Sequence, residues 1–169
     1  RFDYDGDFGT VLNRFLMQAA MGYPLTINGS GGQERAFIHI RDSARCIQIA
    51  VENPPTERAR VRIFNQATEV HQVARLARMI SDKTGVPVQH VPNPRVESET
   101  NQLKLVADGL VGLGLQPTRL ADGLLIEIIS TASKYLDRAD PAKIPSTSST
   151  RIPTARPPTN RAVPRCARR

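Results

Sequence analysis

The chain has 169 residues, enough for one modest domain, with 40 % hydrophobic and 5 % aromatic residues and no tryptophan. No apolar run approaches a bilayer-spanning length, and no secretory signal opens the chain. The net charge of +7 is a property of the end of the chain: sixteen basic and sixteen acidic residues balance through residue 140, and the excess comes from Lys143, Arg151, Arg156, Arg161, Arg165, Arg168 and Arg169. A neutral body with a basic tail is a poor match for a specific nucleic-acid-binding fold.

Arg1 to Asp7 reads as polar loop from the middle of a longer polypeptide, so a fragment or processed chain is expected. Val11, Leu12, Phe15, Leu16 and Ala19 recur at helical spacing, and Gly22-Tyr23-Pro24 stops that helix. Leu25 to Ile27 is a short strand, Asn28 to Gly32 a glycine-rich turn, and Ala36 to Ile40 a second strand. Asp42 is the expected N-cap of a helix over 43–52. Alternating Val61 and Ile63 predict a strand over 60–65. Thr68 is the expected cap of a helix to Lys83 that ends at Gly85. Val86 to Val91 predicts a strand, 103–110 a short helix, and 119–136 the longest helix. The result is a small mixed α/β lobe over 1–140. Beyond it, Pro, Ser, Thr and Arg dominate over 141–169, too little apolar surface to offset chain ordering, so disorder is expected there.

The chemistry-bearing motifs are mostly absent. Gly29, Gly31 and Gly32 lie between two strands, whereas a dinucleotide pyrophosphate loop leads from a strand into a helix. No Tyr-x-x-x-Lys pair, Gly-x-Ser-x-Gly elbow or His-Glu-x-x-His helix is present. Asp3, Asp5 and Asp7 alternate, but Leu12 stands where a calcium loop needs its glutamate. His39, His71 and His90 are scattered and read as structural. Cys46 and Cys166 form no disulfide or zinc pattern, which fits a reducing compartment. Arg41 beside Asp42 reads as a helix-start ion pair.

Several runs carry a family resemblance. Arg1-Phe-Asp-Tyr-Asp-Gly-Asp-Phe-Gly-Thr-Val-Leu-Asn-Arg-Phe is followed in order by Gly31-Gly32-Gln33-Glu34-Arg35, Ile40-Arg41-Asp42, Phe64-Asn65-Gln66, Pro92-Asn93-Pro94-Arg95-Val96-Glu97 and Tyr135-Leu136-Asp137-Arg138. Together they resemble the UDP-sulfoquinovose-forming branch of the extended short-chain dehydrogenase/reductases, within the NAD-dependent epimerase/dehydratase family, over about residues 1–145. The match stops abruptly beyond Pro145.

The resemblance implies an enzyme lobe whose Rossmann core is missing here. It implies NAD as cofactor, UDP-glucose and sulfite as substrates, a homodimer in full-length form, and a cytoplasmic or chloroplast-stromal setting. The family's catalytic Thr, Tyr and Lys match positions upstream of Arg1, so no catalytic residue is assigned. By the same resemblance, Val11, Leu12 and Asn13 contact the diphosphate and uridine. Thr26, Ile27 and Asn28 offer main chain to uracil, Arg35 and Arg95 bracket the pyrophosphate, and Glu97 lies near the ribose. The family often carries an aromatic at the position of Asn28 and an acid at that of His39. UDP-sugar 4-epimerases and dehydratases share such clamps, and a non-catalytic product with an anion-binding tail is a further alternative.

Overall fold

The structure is a computed structural model that describes residues 4–5, 9–56, 61–93 and 101–144. The first helix, α1 (Val11–Met21), contains only three polar residues, so nearly its whole circumference is buried. It ends as expected at Gly22, whose φ of 73° lets the Gly22 and Tyr23 N–H groups close back onto Ala19 and Gln18 carbonyls. Strand β1 (Leu25–Asn28) follows, then the turn through Gly29 and Gly31, then β2 (Glu34–Phe37) and helix α2 (Ile40–Glu52). Strand β3 (Glu69–Gln72) leads directly into α3 (Val73–Thr84), which stops at Gly85 with φ of 71°. Strand β4 (Val88–Val91) and the short α4 (Asp108–Gly112) come next. A widened turn over Leu120–Leu124 then precedes α5 (Leu125–Lys134).

Two two-stranded sheets form among the described residues. β1 pairs in parallel with β4, placing Leu25 opposite Val88 and Asn28 opposite Val91. β2 pairs antiparallel with β3, placing Arg35 opposite His71 and Phe37 opposite Glu69. Helices α1, α3 and α5 pack around β1, with Phe15, Leu16, Leu25, Leu76, Ile80 and Leu125 completely buried between them. A second cluster joins Met17 and Met21 of α1 to Ala132 and Ile144, and a third joins Cys46 and Ile49 of α2 to Leu110 and Leu115. This small mixed α/β arrangement agrees with the fold class read from the sequence.

Several local expectations change. His39, not Asp42, caps α2: its Nδ1 accepts the Arg41 N–H at 3.2 Å, and the helix starts at Ile40. Asp42 is buried instead and accepts from the Thr118 main-chain N–H at 2.7 Å and hydroxyl at 3.0 Å. Arg41 therefore pairs with Glu127 of α5, at 3.4 Å on the surface. Residues 61–67 form no strand, and Val61 and Ile63 are both exposed. Thr68 does not cap a helix; its N–H and hydroxyl bond the Phe37 carbonyl at the open end of the β2–β3 ladder. The long helix is broken at Gly123, whose φ is 95°. The chain stays in the fold past Asp140, because Pro141–Lys143 form a 3-10 turn and Ile144 is buried against α1. Residues 145–169, with Cys166, lie outside the described residues.

Gly31 makes the tightest of these turns. Its φ is +75°, and an added Cβ would sit 2.8 Å from Ile27 Cγ2 and 3.0 Å from Ala74 Cβ. Gly31→Ala combines a left-handed backbone with overpacking, so a loss of about 1–3 kcal/mol is expected in a urea titration of the full-length protein. An unchanged midpoint would mean that the turn relaxes freely.

Candidate functional site

Helix α1 has no side-chain cap: Thr10 makes no capping bond, and no acid occupies the first turn. The N–H groups at its start, around Val11, Leu12 and Asn13, have no side-chain cap among the described residues and form the positive end of the helix dipole. Leu12 and Asn13 line an open cavity of about 170 Å³. Phe37 from the end of β2, His39 at the cap of α2, Glu69 from the start of β3, and Thr118 form other parts of its wall. Two carboxylates brace that wall. Asp42 holds Thr118, and Glu69 accepts the Leu120 N–H at 2.7 Å while its other oxygen lies 3.0 Å from His71 Nε2.

Strand β1 presents one edge to β4 and the other to α1. Leu25 and Gly29 donate to Pro87 and Val91, so alternation turns the main-chain groups of Thr26 and Asn28 the opposite way. Thr26 is already satisfied there. Its N–H donates to Gln18 Oε1 at 3.2 Å, its hydroxyl accepts from Gln18 Nε2 at 2.8 Å, and its carbonyl accepts from Arg14 Nη2 at 3.0 Å. The side chains of Thr26 and Ile27 are buried, so these two residues offer main chain rather than side chain to the surroundings of the strand. The N–H and carbonyl of half-buried Asn28 remain on that edge without a partner among the described residues.

Arg35 lies on β2 two residues before the cavity-lining Phe37, hence on the same face of the strand. It is half-buried, and its Nη1 donates to the Glu34 carbonyl at 2.9 Å. The cavity wall includes Leu12 and Asn13 but not Thr26, Ile27, Asn28 or Arg35. Asn28 and Arg35 instead flank the turn through Gly29 and Gly31. Asn93 packs beside Gly29, its Cβ 3.5 Å from where a Gly29 Cβ would stand. Arg95 and Glu97 themselves lie outside the described residues, as do Asp3 and Asp7.

Sequence reasoning missed Arg14 and Gln18. The available signal was composition: polar residues four apart on an otherwise apolar helix must find buried partners. Burial lowers the Arg14 guanidinium pKa from its ordinary value, and its Nε is buried with no hydrogen-bond partner. An arginine remains charged in such a place. Burial, and then Asp42, push the Cys46 thiol pKa up, which disfavours the reactive thiolate. No group of three His, Cys, Asp or Glu that could hold a metal occurs among the described residues. No described helix is long and apolar enough to cross a membrane.

A dinucleotide does not fit the described residues. The glycine-rich turn joins β1 to β2 rather than a strand to a helix, and β3 enters α3 with no glycine between them. No strand–glycine turn–helix cradle for a pyrophosphate is present among them.

Residues 1–67 match the NAD dependent epimerase/dehydratase family. Over 158 residues the chain is 44 % identical to the chloroplastic UDP-sulfoquinovose synthase of Spinacia oleracea, covering 90 % of this chain and 33 % of that one. It is 36 % identical over 124 residues to the UDP-sulfoquinovose synthase of Sulfolobus acidocaldarius, covering 70 % of this chain and 31 % of that one. The chain thus spans about a third of the length of the curated relatives it matches. The UDP-glucose 4-epimerase of Thermotoga maritima, solved with UDP-glucose, shares the fold with a TM-score of 0.62 at 22 % identity, covering 80 % of this chain and 43 % of that one. The resemblance read from the sequence holds: these relatives are enzymes, and the matching family is NAD dependent.

Proposed function

We propose that this chain is the nucleotide-sugar-binding lobe, residues 1–144, of an NAD-dependent enzyme that converts UDP-glucose and sulfite to UDP-sulfoquinovose. The observation that carries the binding reading is the edge of β1. One N–H and one carbonyl, both of Asn28, have no partner among the described residues, on a strand whose neighbouring Thr26 groups are taken by α1 and whose opposite edge pairs with β4. Uracil's N3–H and a neighbouring carbonyl oxygen complement such a pair. The uncapped start of α1 suits the diphosphate. Arg35, with its planar fork of donors, is the cation on the far side of the glycine turn. Arg95 and Glu97 are proposed from the resemblance alone.

The chemistry at the sugar belongs to residues and an NAD that the described part does not hold, so this lobe's share is to bind and orient. Identity to two UDP-sulfoquinovose synthases favours sulfite as the second substrate over simple 4-epimerisation or dehydration. The test is product analysis of the full-length protein with NAD and UDP-glucose. A sulfonated UDP-sugar formed only when sulfite is added is expected. UDP-galactose or a 4-keto-6-deoxy sugar, formed whether or not sulfite is present, would transfer the chain to an epimerase or dehydratase. The chloroplastic spinach relative and the buried free thiol support a cytoplasmic or stromal setting. A homodimer is the proposed assembly, to be read by sedimentation. The basic segment 145–169 is given no part in binding.

Helix α2 bears on the same proposal. Ile40, Ile47 and Val51 stand on one face at spacings of seven and four, and all three are largely exposed. We place that stripe against the remainder of the longer polypeptide, since this chain spans about a third of its relatives. Val51→Ser in the full-length protein should then lower its stability by about 1–2 kcal/mol, part of the value of a buried valine. A change within about 0.5 kcal/mol, as for a surface site, would leave the stripe in solvent.

A further inference from the structure

We propose that Arg14 and Gln18 are positioning residues that set which nucleobase the edge of β1 accepts; this rests on the nucleotide-sugar reading above. Among the described residues β1 has a single strand neighbour, β4. Its second edge is held by side chains from α1 instead of a third strand. Gln18 is completely buried and spends both ends of its amide on one residue, Thr26. Arg14, one helical turn earlier on the same face, takes the Thr26 carbonyl. Thr26 therefore has its N–H, carbonyl and hydroxyl fixed by one rigid helix.

The consequence falls two residues further on. Asn28 lies about 7 Å along the same edge; chain direction sets the order of its N–H and carbonyl, and the grip on Thr26 fixes where and at what twist that pair stands. That order distinguishes pyrimidines. Uracil offers a donor at N3 and an acceptor at O4, whereas cytosine offers an acceptor at N3 and a donor at its amino group. An N–H and a carbonyl in fixed sequence satisfy the first pattern and oppose the second. A strand edge free to twist or slip could meet either. The partnerless, buried Nε of Arg14 fits this role. Tying α1 to a strand needs only one neutral donor, and a lone arginine with an unused buried N–H is a poor choice for stability alone. Its planar fork, seated over the Phe15 ring with CZ 5.5 Å from the centroid, fixes the direction as well as the distance of the bond to Thr26.

The test measures UDP and CDP binding by calorimetry in the full-length protein and in its Arg14→Met and Arg14→Lys variants. The unaltered protein should prefer UDP. Arg14→Met should cut that preference about tenfold, the factor carried by one hydrogen bond to a charged donor, through loss of UDP affinity with CDP little changed. Arg14→Lys, which keeps the charge but not the fork, should fall between. If Arg14→Met fails to melt cooperatively, Arg14→Lys decides on the same criterion. An unchanged preference in the variants, or equal losses for both nucleotides, overturns the positioning role and leaves the nucleotide-sugar reading standing. An unaltered protein that does not favour UDP overturns both.

Discussion

Phe15→Ala should destabilise the full-length protein by about 3–5 kcal/mol, the usual range for deleting a buried aromatic ring from a packed core. Phe15 is completely shielded and belongs to the cluster that joins α1 to β1, α3 and α5. Two of those elements, α3 and α5, are far from α1 in the chain, so the cavity left behind has rigid walls and collapses poorly. The ring also lies 5.5 Å from the Arg14 guanidinium, and its loss would withdraw a contact worth about 0.5–1 kcal/mol or more. Phe15→Leu keeps most of the volume and should cost under about 1.5 kcal/mol. Urea titrations of both variants check the pair. Similar small losses for Ala and Leu would mean that α1 is not seated in the core as described.

The parts of this fold that could be read from the sequence are those that local chemistry decides. Gly22 and Gly85 adopt the left-handed conformation that ends α1 and α3, and no distant residue is needed to foresee it. The misreadings share one cause. Val70 falls in helical phase with the apolar positions of α3, yet residues 69–72 form β3 because β2 offers an antiparallel partner that bonds them. Val61 and Ile63 alternate as a strand would, but they find no partner among the described residues and stay exposed. Asp42 has the type and place of an N-cap. Burial and the two bonds from Thr118, 76 residues away, draw it inward, and His39 caps instead.

The candidate site divides in the same way. Asn28 and Arg35 could be found because short runs around them resemble a family. The lock on Thr26 could not, because it depends on which face of α1 meets β1, a tertiary fact. Asn65 shows the limit from the other side: it lies in a family-like run, yet its side chain donates to the Val106 carbonyl at 2.9 Å and holds two loops together.

Arg35→Ala should weaken UDP-glucose binding to the full-length protein by about 2–5 kcal/mol, the scale for removing one member of a desolvated charge pair. The size of the effect discriminates between two positions for this side chain. A guanidinium that met a phosphate in open solvent would contribute at most about 1 kcal/mol and fade with added salt. Arg35 is half-buried, and its bond to the Glu34 carbonyl keeps the guanidinium close to β2, beside the turn that leads from Asn28. That restraint lowers the entropy lost on gripping a ligand, and the larger range applies. Arg35→Lys keeps the charge without the planar fork and should recover only part of the affinity. Removing Arg35 and Arg95 together should cost less than the sum of the single losses, because two cations on one diphosphate share its charge. Calorimetry at two ionic strengths compares the unaltered protein with Arg35→Ala, Arg35→Lys, Arg95→Ala and the double variant. A loss under about 1 kcal/mol for Arg35→Ala that vanishes at high salt would take this arginine out of the diphosphate grip, and strictly additive losses would separate the two cations onto different parts of the ligand.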